Sequence, residues 1–273
     1  MTRRTVLKKL AAISAVTASG ALAYGFTVAR HYLEVTRETI DFPGLAPGLN
    51  GLRIGLVSDL HCSRTVPRSL LDAAVQALRR EQPDLILLGG DYVTWGDRHF
   101  VEPAAEALAP LTAPHGVFAV LGNHDDDRDM PSALAAKGIA VLRDQRTQLT
   151  IKGETLDLVG IRYWTYKVKD IADVLRGASP NVVLMAHTPS RLVEASALSV
   201  PLMVSGHTHG GQIVLPGIGA VAARKYPVVA GLGRREHTTA FVTRGVGTVY
   251  LPVRLNCPPE VVILTLKTGP VAE

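Results

Sequence analysis

Leu202-Met203-Val204-Ser205-Gly206-His207-Thr208-His209 decides the fold of this chain: an apolar run ends abruptly in a glycine and two histidines one residue apart. A short run of branched side chains closed by polar residues reads as a buried strand that presents chemistry from the loop at its end. The same grammar recurs upstream. Arg53-Ile54-Gly55-Leu56-Val57 precedes Asp59-Leu60-His61, and Leu85-Ile86-Leu87-Leu88 precedes Gly90-Asp91. Val117-Phe118-Ala119-Val120-Leu121 precedes Gly122-Asn123-His124-Asp125, and Val182-Val183-Leu184-Met185 precedes Ala186-His187. Helical patterns alternate with the early strands: Pro67 to Glu81 carries Leu70, Leu71, Ala74, Val75 and Leu78 on one face, and Pro103 to Leu111 continues the alternation. This order predicts an α/β fold whose strand ends gather polar side chains along one edge.

Each motif alone has a plain reading. A lone Asp-x-His or Gly-Asp is a turn, and a lone histidine is a surface or satisfied core residue. Together they read differently, because five of the nine histidines, His61, His124, His187, His207 and His209, stand in strand-end motifs. His31, His99, His115 and His237 do not and read as ordinary. Mixed imidazole, carboxylate and amide donors suit Mn, Fe or Zn better than Mg or Ca. The set points to a two-metal hydrolase.

The ordered set Asp59-x-His61, Gly90-Asp91, Gly122-Asn123-His124-Asp125, His187 and Gly206-His207-Thr208-His209 resembles the calcineurin-like metallophosphoesterase superfamily, over roughly residues 51 to 267. Gly210-Gly211-Gln212-Ile213 and Pro252-Val253-Arg254-Leu255-Asn256-Cys257-Pro258-Pro259-Glu260 are similar to its bacterial branch of exported or membrane-associated phosphodiesterases, the YkuE and YaeI type. That branch includes an enzyme cleaving the pyrophosphate of a UDP-diacylglucosamine. The resemblance implies two divalent metal ions, one on Asp59, His61 and His209, the other on Asn123, His187 and His207, with Asp91 bridging. Two cations about 3.5–4 Å apart lower the pKa of a bridging water and stabilise charge during in-line attack on phosphorus. His124, not a ligand in this family, would stabilise that charge or protonate the departing oxygen. Asp125 would orient His124 through its second ring nitrogen. The implied fold is a four-layer α/β/β/α sandwich of two mixed sheets flanked by helices. Leu149-Thr150-Ile151, Leu156 to Val159, Ala240 to Thr243, Thr248 to Leu251 and Val261 to Leu266 read as strands of the second sheet.

Two positions depart from the family pattern. Where many relatives carry Gly-Asp-x-x-Asp, the residue three after Asp91 is Thr94, and Gly160-Ile161-Arg162-Tyr163-Trp164 lacks the acidic residues that often follow the glycine. Arg162 reads either as a phosphate contact or as a surface arginine. Residues 213–237, with Arg224, Lys225, Arg234 and Arg235, read as a loop that recognises an anionic head group, or as a plain solvated loop. In the first reading Tyr226, Pro227, Val228 and Val229 would meet an acyl chain or a membrane surface.

Thr2-Arg3-Arg4-Thr5-Val6-Leu7-Lys8 resembles a twin-arginine export motif, and Leu10 to Ala29 follows without a charge. The run is only moderately apolar and Ala21-Leu22-Ala23 offers a small-x-small cleavage site, which favours a signal over a retained anchor. The expected organisation is a signal or anchor at 1–29, a linker at 30–50 and one catalytic domain at 51–273. Expected partners are a phosphoester substrate, small or lipid, the twin-arginine machinery and a membrane surface, on the periplasmic or extracellular side of the cytoplasmic membrane. The formal charge of +5 resides largely in the leader: removing residues 1–23 subtracts Arg3, Arg4, Lys8 and Lys9 from 29 basic residues and nothing from 24 acidic ones, leaving about +1. Basicity is thus no argument for nucleic acid. Cys62 and Cys257 form no metal-type pair; they read as small buried hydrophobes, with a disulfide or an oxidation-sensitive Cys62 as alternatives.

The sequence supports a phosphodiesterase or pyrophosphatase on an envelope substrate such as a phospholipid or lipid-linked nucleotide sugar. A phosphomonoesterase is the alternative, because the same metal core serves both reactions. A non-catalytic metal-binding protein is disfavoured, since metal storage needs neither a bridging Asp91 nor a non-ligand His124.

Overall fold

A computed structural model describes residues 2–269 of the chain. Met1 and residues 270–273, the ends of the first and last segments assigned from the sequence, lie outside the described residues. In chain order the elements are α1 (Arg3–Thr27), β1 (Glu34–Pro43), β2 (Arg53–Val57), α2 (Arg68–Arg80), β3 (Leu85–Leu88), α3 (Val101–Leu108), β4 (Val117–Ala119), α4 (Asp129–Ala136), β5 (Ala140–Val141) and β6 (Gln145–Ile151). They continue with β7 (Glu154–Ile161), α5 (Val168–Leu175), β8 (Val182–Ala186), α6 (Leu192–Ala197), β9 (Leu202–Ser205), β10 (Val214–Leu215), β11 (Gly219–Ala220), β12 (Gly231–Arg235), β13 (Thr238–Val242) and β14 (Glu260–Gly269).

Two six-stranded mixed sheets form, in the orders β1-β14-β2-β3-β4-β5 and β12-β13-β9-β8-β7-β6. Alternating side chains explain how they stack. Ile54, Leu56, Leu85, Leu87, Val262 and Leu264 of the first sheet meet Leu156, Leu158, Val183, Met185, Leu202 and Val204 of the second in a shared core. The intervening residues point the other way: Val57, Ile86 and Leu88 pack on α2, α3 and α4, while Val159, Leu184 and Met203 pack on Ile171 of α5 and Leu192 of α6. Strands buried on both faces read as continuous apolar runs, which is why the sequence signal was strong. The arrangement is the four-layer sandwich expected.

Helix α2 buries Leu70, Leu71, Ala74, Val75 and Leu78 as their spacing predicts. Helix α3 starts earlier than expected, at Val101, so Pro103 falls in the first turn, where a missing N–H costs nothing. Three expectations are corrected. Val261–Leu266, read as a strand of the second sheet, lies in β14 of the first, between β1 and β2. Residues 30–50, read as a linker, contain β1, which pairs in parallel with β14 from Glu34↔Glu260 to Pro43↔Gly269 and sends Ile40 and Phe42 into the core between the sheets. Thr248–Leu251, read as a strand, instead turns: Tyr250 has φ 61°, and Val249 donates its N–H to Gln212 at 2.6 Å rather than to a neighbouring strand.

Helix α1 is capped by Thr2, whose hydroxyl accepts the Thr5 N–H, and at its other end the Gly25 carbonyl accepts the Arg254 N–H at 3.2 Å. No helix among the described residues is long and apolar enough to cross a membrane.

Candidate metal centre

Every strand-end motif lies just beyond a parallel strand, and the two sheets direct these ends to one place. Asp59 and His61 follow β2, Asp91 follows β3, Asn123 follows β4, His187 follows β8, and His207 and His209 follow β9. Backbone bonds knit the loops together: Asp59 N–H to the Gly90 carbonyl at 2.8 Å, His61 N–H to Asp91 at 3.0 Å and Gly206 N–H to His187 at 3.0 Å. The chain must bend sharply to present these side chains. Asp59 (φ 55°), His61 (48°), Asp91 (56°), His207 (71°) and His209 (51°) all adopt the left-handed conformation that residues with a Cβ avoid. Such concentration of strain marks functional loops. Close approach adds to the constraint: a Cβ on Gly122 would lie 2.0 Å from Asp91 Oδ1.

Two ligand groups result, Asp59, His61 and His209 in one, and Asp91, His187 and His207 in the other, each with donor atoms within 4.8 Å of one another. In the first, His61 Nε2 and His209 Nε2 are 3.0 Å apart and Asp59 Oδ1 is 3.5 Å from His209 Nε2. In the second, His187 Nε2 lies 3.1 Å from Asp91 Oδ2 and 3.2 Å from His207 Nδ1. Asp91 Oδ2 is also 3.6 Å from His61 Nε2, so this carboxylate stands between the groups. Asn123 Oδ1 is buried without a hydrogen-bond partner. Facing imidazole nitrogens and a buried orphan amide oxygen are what divalent cations would satisfy, and the donors are of the right types.

The outer nitrogens are equally provided for. His187 Nδ1 donates to the Gly89 carbonyl at 2.7 Å, which turns Nε2 inward, towards Asp91. His61 Nδ1 meets Thr94 Oγ1 at 3.2 Å, so the residue in place of the second aspartate still supports a ligand, as a neutral hydroxyl. His207 Nε2 meets Tyr226 Oη at 2.7 Å. His209 Nδ1 lies 3.5 Å from a guanidinium nitrogen of Arg254, which is fully buried and donates to the carbonyls of Gly247, Arg244, Gly245 and Cys257.

The structure corrects the role expected of Asp125. Its carboxylate does not reach His124; it accepts the N–H groups of Asp91 at 2.8 Å, Tyr92 at 2.7 Å, Val93 at 3.3 Å and Gly122 at 2.8 Å, binding the Asp91 loop to the Gly122 loop. His124 Nδ1 is held instead by the backbone N–H of Trp95, at 3.1 Å, while the His124 N–H donates to Asp91 Oδ1 at 2.8 Å. With Nδ1 accepting, the ring proton resides on Nε2.

Electrostatics sort the ligands without metal. Burial lowers His61 to about 4; burial and the charge of His187 lower His207 to about 3; burial, His61 and Arg254 hold His209 well below its ordinary range. Burial would also lower His187, but the Asp91 carboxylate overrides it and raises this histidine to about 9. Burial pulls Asp91 upward, yet His187, His61 and His124 together hold it below the usual carboxylate range. Burial raises Asp59 to about 6 against the pull of His187, and burial with the nearby Asp91 charge raises Asp125 to about 7. The metal-free centre thus contains one internal ion pair, Asp91 with His187, beside three neutral imidazoles.

Beside the centre opens a cavity of about 550 Å³, lined on its far side by Ile213, Leu215, Val221, Val249 and Leu251, with Lys225 at its wall. Of the basic residues in 213–237, Lys225 reaches it, whereas Arg224 donates to the Ile218 carbonyl and Arg234 to that of Glu236. Arg162 is paired with Asp144 at 3.4 Å; its neighbour Tyr163, not singled out from the sequence, packs 5.5 Å from the His207 ring. Tyr226 and Arg254 took part in motifs read from the sequence, but their contacts with His207 and His209 join segments too distant for local pattern to show. Cys62 and Cys257 are free, buried thiols. Burial pushes Cys62 up to about 11, which argues against ready oxidation.

The family model for the calcineurin-like phosphoesterases matches residues 52–211. The phosphodiesterase YaeI of Escherichia coli is 34% identical, over 97% of this chain and 99% of that protein. The uncharacterized metallophosphoesterase YkuE of Bacillus subtilis is 30% identical over 98% of both chains. A transmembrane protein with a metallophosphoesterase domain from Danio rerio is 31% identical over 97% of this chain and 63% of its own length. Family match, phosphodiesterase relative and paired ligand groups identify a metal-dependent phosphoesterase with a binuclear divalent centre. The chain belongs to the calcineurin-like metallophosphoesterase family, in company with YkuE and YaeI.

Proposed function

We propose that the protein is a phosphodiesterase or pyrophosphatase acting on an amphiphilic envelope substrate, a phospholipid or lipid-linked nucleotide sugar, after twin-arginine export to the outer side of the cytoplasmic membrane. The observation that carries the diester reading is the character of the cavity beside the ligands. It is predominantly apolar with Lys225 as its cation, so it suits a second, esterified arm better than the dianionic charge of a monoester. Export is supported by the Arg3-Arg4 motif and the uncharged run behind it.

Asp59, His61 and His209 would hold one cation and Asn123, His187 and His207 the other, with Asp91 between. Divalent ions there supply a nucleophile at neutral pH and neutralise phosphoryl charge. The chain's own contribution is orientation and hydrogen-bond donation. His124 is fixed by Trp95 with its Nε2–H free to donate to the oxygen that departs or gains charge. Burial lowers His124 from its ordinary value, so the ring works as a neutral donor near pH 7.

The test is hydrolysis of bis(p-nitrophenyl) phosphate and p-nitrophenyl phosphate by the full chain loaded with Mn or Zn. Preferential diester cleavage, lost in Asp91→Asn and reduced about 10²–10⁴-fold in His124→Asn, is expected. Monoester preference would install the phosphomonoesterase reading. Tight metal binding without turnover on either would reduce the protein to a metal-binding role.

A further inference from the structure

A second cleft of about 610 Å³ lies beside the apolar cavity, and the two share one wall, Val249, Tyr250 and Leu251. Their linings differ. The second is edged by Ser63, Arg64, Thr65, Trp95, Asp97 and Phe100, a mixture of hydroxyls, both charges and aromatic rings. Trp95 is 65% exposed and Tyr250 79% exposed, a costly way to display two aromatic rings unless something covers them. Their centroids lie 5.4 Å apart in an edge-on arrangement; Tyr250 lines both spaces and Trp95 the second. Trp95 also packs with its centroid 4.3 Å from that of the His124 ring, and His124 itself lines the apolar cavity, so this histidine stands at the border where the two spaces meet.

We propose that this second cleft is the subsite for the leaving arm, and that it takes a planar ring bearing polar substituents, while the apolar cavity takes an alkyl chain on the retained phosphate. This rests on the phosphodiesterase reading above. Hydrolysis adds water across one P–O bond: the water oxygen stays on phosphorus, the electron pair of the broken bond remains on the departing oxygen, His124 Nε2–H meets that oxygen by a hydrogen bond, and the proton it finally takes is the one the attacking water gives up. Whatever is attached to that oxygen therefore meets Trp95 next. An indole face binds planar rings of any sequence of substituents, and Arg64, Asp97, Ser63 and Thr65 offer donors and acceptors around its edge. The substrate class that fits both spaces is an unsymmetrical diester or pyrophosphate joining an alkyl chain to a polar, ring-bearing group.

Steady-state kinetics on decyl p-nitrophenyl phosphate and methyl p-nitrophenyl phosphate separate the two arms, since both share the planar leaving group and differ in the chain. The decyl ester is expected to exceed the methyl ester in kcat/KM by about tenfold or more through chain burial. Val221→Asp, in the apolar cavity, should erase that preference. Trp95→Leu should raise KM for both esters by about tenfold and leave their ratio intact, with Trp95→Phe restoring most of the loss because a ring is returned. Tyr250→Ser, at an exposed ring with little fold to disturb, should raise the same KM about threefold. Unchanged KM in Trp95→Leu and Tyr250→Ser, with turnover of both esters intact, overturns the leaving-arm assignment alone. A loss of the decyl preference in Trp95→Leu reverses the two arms and overturns it as well. Absence of metal-dependent turnover in the wild-type chain removes the phosphodiesterase reading and this assignment with it.

Discussion

Replacing Asp125 by asparagine should destabilise the metal-free protein by about 3 kcal/mol, although the change alters one atom and removes no ligand. One carboxylate oxygen accepts the N–H groups of Asp91 and Gly122, the other those of Tyr92 and Val93. An asparagine amide keeps one acceptor and puts an NH₂ donor where the other stood. Whichever way it turns, two backbone N–H groups face a donor. Each orphaned group costs about 1–3 kcal/mol, and relief of the buried charge returns part of that, so about 3 kcal/mol is the balance. For a chain of this size the loss corresponds to a fall in Tm of about 6–12 °C. Urea unfolding of metal-free wild type and variant measures it directly. The stabilisation gained on adding Mn should also shrink, because the tether fixes the Asp91 loop. A variant within about 0.5 kcal/mol of wild type, binding metal normally, would refute the assignment of Asp125 as a backbone clamp.

Tyr226→Phe removes the hydroxyl 2.7 Å from His207 Nε2 and should weaken one of the two metals by about 10–100-fold while sparing the other; equilibrium dialysis at graded free Zn checks whether both sites respond alike, which would count against it. Because Asp91 raises His187 to about 9, metal must displace the His187 proton below that pH, so apparent affinity should rise about tenfold per pH unit from pH 6 to 8. A flat profile in competition dialysis contradicts this. The same shift has a folding counterpart: a histidine raised from 6.5 to about 9 lends the metal-free protein stability that is complete below 6.5 and fades as pH climbs through 9, visible as a falling denaturation midpoint. Gly245→Ala would set a methyl 2.6 Å from Asp59 Cβ at φ 66°, so metal affinity and Tm should both drop; an unaltered first site in metal titration would show that the loop can yield.

The sheets and the convergence of the candidate ligands were legible because both signals are local. An apolar run followed by Asp-x-His or His-x-His needs only eight consecutive residues to be seen, and the same residues converge because parallel strands all end at one edge. Strand β1 escaped because Glu34, Arg37, Glu38 and Asp41 interrupt it, and the strand it pairs with, β14, lies at the far end of the chain. Thr248 to Leu251 has strand propensity, yet Gln212 claims its backbone from another loop. The support of His124 was misassigned for a related reason. A side-chain carboxylate one residue away is conspicuous in sequence, whereas the group that acts, the Trp95 N–H, belongs to every residue and carries no signature. Tyr226 and Arg254 contact His207 and His209 through tertiary folding alone.

The left-handed backbone of Asp59, His61, Asp91, His207 and His209 sets stability and activity against each other at the level of the gene. Each such residue holds the fold about 1 kcal/mol or more above what a glycine there would allow. A screen that rewards heat resistance of the metal-free protein alone would therefore collect glycine at His61, His207 and His209, where no ion pair is lost, enriching proteins that melt later and hydrolyse nothing. Selection for thermostability in this scaffold has to be coupled to turnover from the first round, or it will dismantle the catalyst.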